Sequence, residues 1–473
     1  MVASDLIFYF TIMRDFSTDQ FILEDGSRIA IVGGGPAGSF FAYYALDFAD
    51  RLGMDIHVDI FDAKNFLCAG PAGCNHCGGI VSESLIQTLS TEGVVMPSEV
   101  IRRGIESYTL HLEQGSTVIE TPFNEQRIAA MFRGIGPLGA EDDGMQSFDY
   151  HLLSLCKNMG ASVIEERVTG AIRTADAVTI TTKSGKNYKY DLLVGAIGLN
   201  KNTIQLFESI CSSFKPPETT KTYISEFKLD PETINTRFGN SMHVFLLNLP
   251  HIKFGALIPK GSYITLVLLG SDINKEIAGA FLNSEPVRAL FPEGTDLDKI
   301  TPCKCFPSIN VKGARFAYDD RVVLVGDAAS SKLYKNGIGA AYITGKAAAN
   351  TAIFHGISAA AFKKHYQPVC SGLEKDNRLG KLIFSVTTII QKTAVLKGGM
   401  LQQVIFEQRL SREKRRMSSV LWDTFTGSAT YSNILLRVLH PLLLLNFFRF
   451  IFVSTFNIIA KKNEKQQIRA TLP

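Results

Sequence analysis

The sequence predicts an α/β fold: a Rossmann-like dinucleotide-binding domain built from discontinuous segments, a strand-rich domain threaded between them, and a helical C-terminal tail. Three observations predict it. Ile29-Ala30-Ile31-Val32 runs into Gly33-Gly34-Gly35-Pro36-Ala37-Gly38. Val58-Asp59-Ile60-Phe61-Asp62 is an apolar strand that ends in an acid. Far downstream, Arg321-Val322-Val323-Leu324-Val325-Gly326-Asp327-Ala328-Ala329 leads to Asn336-Gly337-Ile338-Gly339-Ala340-Ala341. A lone Gly-x-Gly-x-x-Gly is weak evidence. The three in order describe a chain that leaves a nucleotide-binding domain, builds something else, and returns.

The residue types follow from the chemistry. A buried strand delivers the chain to a tight turn at Gly33, and Gly35, Pro36 and Ala37 let backbone approach a pyrophosphate. Gly38 lets the next helix, about 37–52, pack on the strand with its N-terminal dipole toward the phosphates. Asp62 follows Gly38 by 24 positions, where an acid meets the ribose hydroxyls of an adenosine. Gly326 and Asp327 end a second apolar strand, and the carboxylate is placed to accept from a ribitol or ribose hydroxyl. The small-residue helix start Gly337, Ile338, Gly339 turns N–H groups toward the same ligand.

Composition agrees. The chain has 473 residues, 46% apolar and 20% charged, with net charge +4, enough for two or three domains with a substantial core. The expected division places the nucleotide-binding domain at 28–85, 131–200 and 306–375. The strand-rich substrate domain takes 86–130 and 201–305, and the tail 376–473. Inside this scheme Phe148–Met159 reads as a helix, and Met242–Leu247 and Tyr263–Leu269 read as strands. Leu6–Met13 is too short for a signal peptide and lacks a basic start. Eight cysteines without paired spacing suggest reduced thiols and a cytoplasmic setting.

These segments resemble the para-hydroxybenzoate-hydroxylase-like flavoproteins, and within them the geranylgeranyl reductase family, over roughly 28–375. The motifs carrying the resemblance are the Gly-Gly-Gly-Pro-Ala-Gly turn, Cys77-Gly78-Gly79-Ile80, and the Val323–Ala329 block with Asn336–Ala341. Arg133 with Ser147-Phe148-Asp149 is a weaker match, interrupted by an insertion at 134–146. Phe254–Gly261 is similar to the reductases' segment ending in Pro-Lys. The resemblance implies FAD as cofactor, held through Asp327 and the glycines after it, with Cys77-Gly78-Gly79 beside the flavin ring. Hydroxylases of the superfamily usually carry Asp-Gly where this chain has Ile197-Gly198, which weighs against oxygen insertion.

Cys68, Cys74, His76 and Cys77 lie within ten residues. A flavin-flanking loop, a metal site and inert thiols are all open readings. Zinc sites generally draw on two separated ligand pairs, and Cys303-Lys304-Cys305 is the conceivable second pair. On the flavin reading no metal is expected, and Cys77, His76 or a water supplies the proton.

Beyond Leu401 the chain carries eleven Lys or Arg against four acids, and Val438–Ala460 is strongly apolar before Lys461-Lys462. His440, Pro441, Asn446 and Arg449 interrupt that run. An interfacial helix pair with Arg412–Arg416 on anionic headgroups therefore fits better than a span. A buried helical cap is the alternative. No nucleic-acid module is present.

The expected protein is thus an FAD-dependent oxidoreductase that reduces C=C bonds of an isoprenoid or lipid. NAD(P)H, a reduced carrier or an electron-transfer protein would be the donor, since no second Gly-x-Gly-x-x-Gly unit is present. The expected location is cytoplasmic, peripheral to a membrane. An FAD-dependent monooxygenase and a non-catalytic flavin- or metal-binding membrane-surface protein are the alternatives.

Overall fold

A computed structural model describes residues 21–74, 77–122, 127–141, 144–334 and 336–470, with side chains to 456. The first sheet has six strands in the order Tyr318–Asp319, Val322–Leu324, Leu192–Gly195, Ser27–Val32, Ile56–Phe61, Ser162–Ile164. All neighbours are parallel except the first pair. Ile31 pairs with Ile60 on one side and Val194 on the other. These central strands are largely apolar because both faces are covered. Helix Pro36–Leu52 packs on one, and the three-stranded sheet of Val168–Arg173, Val178–Thr182 and Asn187–Tyr190 packs on the other, with Tyr188 and Tyr190 against Phe61. The strands thus come from three distant stretches of sequence, and the expected α/β, Rossmann-like architecture is what the chain adopts.

Helix Pro36–Leu52 starts directly after the glycine turn, with Pro36 at a position whose N–H needs no partner. It ends at Gly53, whose φ of 66° makes the left-handed C-cap. Helix Gly337–Phe354 lies against it; Ala348, Ala349 and Ala352 are fully buried.

The second sheet has seven strands, ordered Cys303–Cys305, Tyr223–Lys228, Tyr263–Gly270, Ile252–Lys260, Ser241–Phe245, Ser107–Leu112, Gly115–Glu120. Only Ser241–Phe245 and Ser107–Leu112 run parallel. Strand alternation splits its side chains between two cores. Phe227, Phe245, Leu257, Leu266 and Leu268 meet the short helices between 231 and 288. Tyr108, Met242, Val244, Phe254, Ala256 and Ile258 belong to the other core.

The helices after residue 366 fill that second core. Gln367–Lys392 runs unbroken through position 376, and Phe384, Met400, Val404, Trp422, Phe425 and Tyr431 are buried with the sheet. Buried Glu407 accepts the N–H groups of Met417 (3.0 Å) and Ser418 (2.8 Å), capping helix Arg416–Thr426. Arg415, expected on a lipid surface, is engaged instead with Glu120 (2.6 Å) and Gln408.

Among the described residues no single helix is long and apolar enough to cross a membrane. The pairs Ala359–Lys392 with Ala394–Glu407, and Tyr431–Val438 with Pro441–Phe456, pass that test together but bend by 105° and 63°.

Candidate active site

A cavity of about 730 Å³ runs from the carboxyl ends of the parallel strands to the face of the second sheet. That is where an open α/β sheet binds ligands. Its first wall is the glycine turn. Gly33 has φ 108°, and a Cβ there would strike the Ala196 carbonyl oxygen; one on Gly38 would strike the Gly33 carbonyl. Side chains are excluded at both positions, and the turn stays shallow enough for a ligand to touch backbone.

Asp62 sits at the end of its strand, where its two oxygens accept the N–H groups of Gly34 (2.7 Å) and Lys64 (2.8 Å). Burial raises its pKa, and the two N–H bonds act against that rise. Glu166, Arg167 and Val168 complete this end of the cavity.

Arg133 forms the middle of the floor. Its Nε and Nη2 bind both oxygens of Asp149, at 2.9 and 2.8 Å, and Asp149 is fully buried. Burial pulls the guanidinium's pKa down, but Asp149, Cys77 and Asp327 outweigh it and hold the charge. Ser147 locks the pair by donating to the Arg133 carbonyl (2.5 Å) and capping helix Phe148–Asn158. The insertion at 134–146 thus leaves the Arg-to-Asp match intact as geometry.

Asp327 faces the same space; burial raises its pKa, opposed by Ser331 and Arg133. Asn336 has φ 46°, and its side chain accepts the Gly339 N–H at 2.7 Å to open helix Gly337–Phe354 toward the cavity.

Of the sequence-expected residues, Gly33, Gly35, Pro36, Ala37, Asp62, Cys77, Gly78, Gly79, Arg133, Asp327, Gly337 and Ile338 line this one cavity. Gly38, Gly326 and Gly339 lie under its wall rather than on it. His76 lies outside the described residues. Cys77 Sγ accepts the Gly79 N–H at 3.3 Å.

The two cysteine groups approach each other. Cys74 acts on both Cys303 and Cys305, whose thiols burial pushes up to about 12. Among the described residues no group of three or more His, Cys, Asp or Glu is arranged to hold a metal ion.

The far end of the cavity is apolar: Ile224, Met242, Phe254, Ala256, Ile258, Val267, Leu269 and, from the C-terminal helices, Phe425. Sequence reasoning missed Phe425, because its place depends on packing against Tyr108 and Phe254, which are far away in the sequence. It also missed Asn310. That residue's Nδ2 donates to the Asp327 carbonyl (3.0 Å), while its buried Oδ1 lacks a partner at the cavity wall.

The residues fit a dinucleotide with a flavin ring. The glycine turn would take the phosphates, Asp62 and Asp327 would accept from sugar hydroxyls, and the buried Asn310 Oδ1 would accept from a bound ligand.

The chain has a Rossmann-type α/β fold, which it shares with solved structures of oxidoreductases. It is similar to a geranylgeranyl bacteriochlorophyll reductase-like protein from Thermoplasma acidophilum, at 16% identity and TM-score 0.57, covering 88% of this chain and 96% of that one. It is also similar to p-nitrophenol 4-monooxygenase from Pseudomonas putida (11%, TM-score 0.56, 85% and 98%). A probable FAD-dependent monooxygenase from Pseudomonas aeruginosa matches at 13% and TM-score 0.52, covering 84% and 100%. No protein-family model matches the chain, and no curated protein matches it.

Proposed function

We propose that this protein is an FAD-dependent oxidoreductase that reduces carbon–carbon double bonds in an isoprenoid or lipid chain. The observation that carries the reading is the form of the cavity: a polar, glycine-walled half continuous with an apolar half, with Cys77 at their junction. An unactivated double bond in a hydrocarbon chain offers nothing to hydrogen-bond, and a wall of Met242, Phe254, Ile258, Val267 and Phe425 asks for nothing.

FAD, held by the Gly33–Gly38 turn, Asp62, Arg133 and Asp327, would supply hydride chemistry. The protein's own part is to exclude water, align the chain, and provide one proton. Cys77 lines the cavity, and its thiol is the proton source in this reading. His76 shares the loop. NAD(P)H or a reduced carrier protein would dock transiently to deliver electrons.

The membrane surface is the proposed source of such a substrate. Leu382, Val386 and Ile389 form an exposed stripe on helix Gln367–Lys392. Leu445, Phe448 and Phe452, each about 65% exposed, form another on the last helix beside exposed Arg449. Apolar side chains with flanking cations suit an interfacial helix.

The test is mass spectrometry of products after the anaerobically photoreduced protein meets a prenyl-lipid extract, with a second portion aerated. Products heavier by pairs of hydrogens, formed without air, support the reductase. Products that gain oxygen only in the aerated portion would move the protein to the monooxygenases, the activity of two of its structural neighbours.

A further inference from the structure

The cavity face of the second sheet carries one buried charged pair that the reading above does not use. Lys260 ends strand Ile252–Lys260 with no exposed surface, and its Nζ has no hydrogen-bond partner. The Nζ lies 4.9 Å from the centroid of the Phe132 ring, a cation–π contact that offsets part of the lost hydration. It also lies 2.9 Å from where a Cβ on Gly79 would sit. Gly79, at φ 66°, donates its N–H to Cys77 Sγ (3.3 Å), and its carbonyl accepts the Met131 N–H (2.8 Å). Cys77 Sγ and Lys260 Nζ therefore flank the same glycine of the cavity wall.

Glu226 supplies the counter-charge. It is buried on strand Tyr223–Lys228 and accepts from Thr265 Oγ1 at 2.7 Å. Burial pushes Lys260 down and Glu226 up, and each one's charge opposes the other's shift. Cys77, Cys74 and Cys303 also face Lys260. Arg133 faces Cys77 but is committed to both oxygens of Asp149. A fully buried lysine Nζ without a hydrogen-bond partner is rare in proteins, where buried polar groups are almost always hydrogen-bonded. One placed against the wall of a ligand cavity has a ligand-side use.

We propose that Lys260 is a positioning residue for Cys77: its ammonium, seated behind the Gly79 turn, stabilises the thiolate left when the Cys77 thiol gives up its proton. The proposal rests on the reading of Cys77 as the proton source. In that step the S–H bond breaks and a C–H bond forms at the substrate carbon. The electron pair stays on sulfur, where it faces Lys260, and water returns the proton afterwards. Without a nearby cation the thiolate would stand in a low-dielectric pocket, and its formation would be strongly disfavoured.

The test reads the thiol directly. Iodoacetamide labelling of Cys77 in the purified full-length protein is followed by peptide mass spectrometry across pH. In Lys260→Met the midpoint of the profile should rise by about one pH unit, so that labelling near neutral pH slows about tenfold. Lys260→Arg should stay within about threefold of wild type, because it keeps the charge. Lys260→Gln, which keeps a polar tip without the charge, should raise the midpoint likewise, and it carries the test by itself if Lys260→Met does not fold. An unmoved profile in a Lys260→Met protein with normal thermal stability would overturn the proposal and leave Lys260 as a structural cation over Phe132. Full turnover in Cys77→Ser would instead remove the proton role from Cys77, while the labelling profile still decides whether Lys260 acts on its sulfur.

Discussion

Trp422 stacks on Tyr108 with ring centroids 4.4 Å apart and planes 20° from parallel. Both side chains are fully buried. One belongs to the basic C-terminal region and the other to the substrate sheet, so the two form one core. Lys397, nearly buried, reinforces the junction by pairing with Glu113 at 2.5 Å. Phe425, one turn beyond Trp422, reaches the cavity from this platform.

Trp422→Ala should therefore lower stability by about 3–5 kcal/mol, as loss of a large buried aromatic does. The urea midpoint of the purified protein measures it. If the C-terminal helices were an independent appendage, that midpoint would not move.

Gly38→Ala should abolish flavin binding, because the added Cβ would meet the Gly33 carbonyl oxygen and push the helix off the turn. We expect at least a tenfold loss of bound flavin absorbance after gel filtration. Flavin retained at the wild-type ratio would mean that this turn does not hold the ligand.

His111 and His243 share a hydrogen bond at 2.9 Å beneath the second sheet, and burial lowers their pKa values to about 3 and about 4. The unfolded chain takes up their protons near pH 6.5, whereas the folded one resists down to about pH 4. Stability from this pair is complete above pH 6.5 and drains away as pH falls toward 4, by up to about 1.4 kcal/mol per group per unit. Urea midpoints between pH 7 and 5 should fall, and the slope should flatten in His243→Asn. Equal slopes would place the acid sensitivity elsewhere.

Phe448→Asp with Phe452→Asp should cut co-flotation with anionic liposomes several-fold without changing the urea midpoint, since both side chains are exposed. Unchanged flotation would remove the membrane contact from this face. Loss that disappears when the vesicles are neutral would point to Arg449 and the lysines instead.

By itself the sequence determined the class of the fold and the glycine-walled half of the cavity. Those features are local: a strand, a turn that only glycine can make at Gly33, and a helix start each lie within a few residues, and their steric demands are written in residue type. The helix bearing Asp149 was equally legible as 148–159; the structure forms it over Phe148–Asn158 and adds Ser147 as its cap. The other half was decided only in three dimensions. Which side chains of Ile252–Lys260 face the cavity depends on its register with Ser241–Phe245 and Tyr263–Gly270. Whether an apolar, basic C-terminus meets lipid or protein depends on which of its faces finds Tyr108, Phe254 and Met242 first. A lysine reads as a surface residue in any sequence. Lys260 is something else because folding carries it away from water and leaves its Nζ against Gly79, with Glu226 and Cys77 nearby.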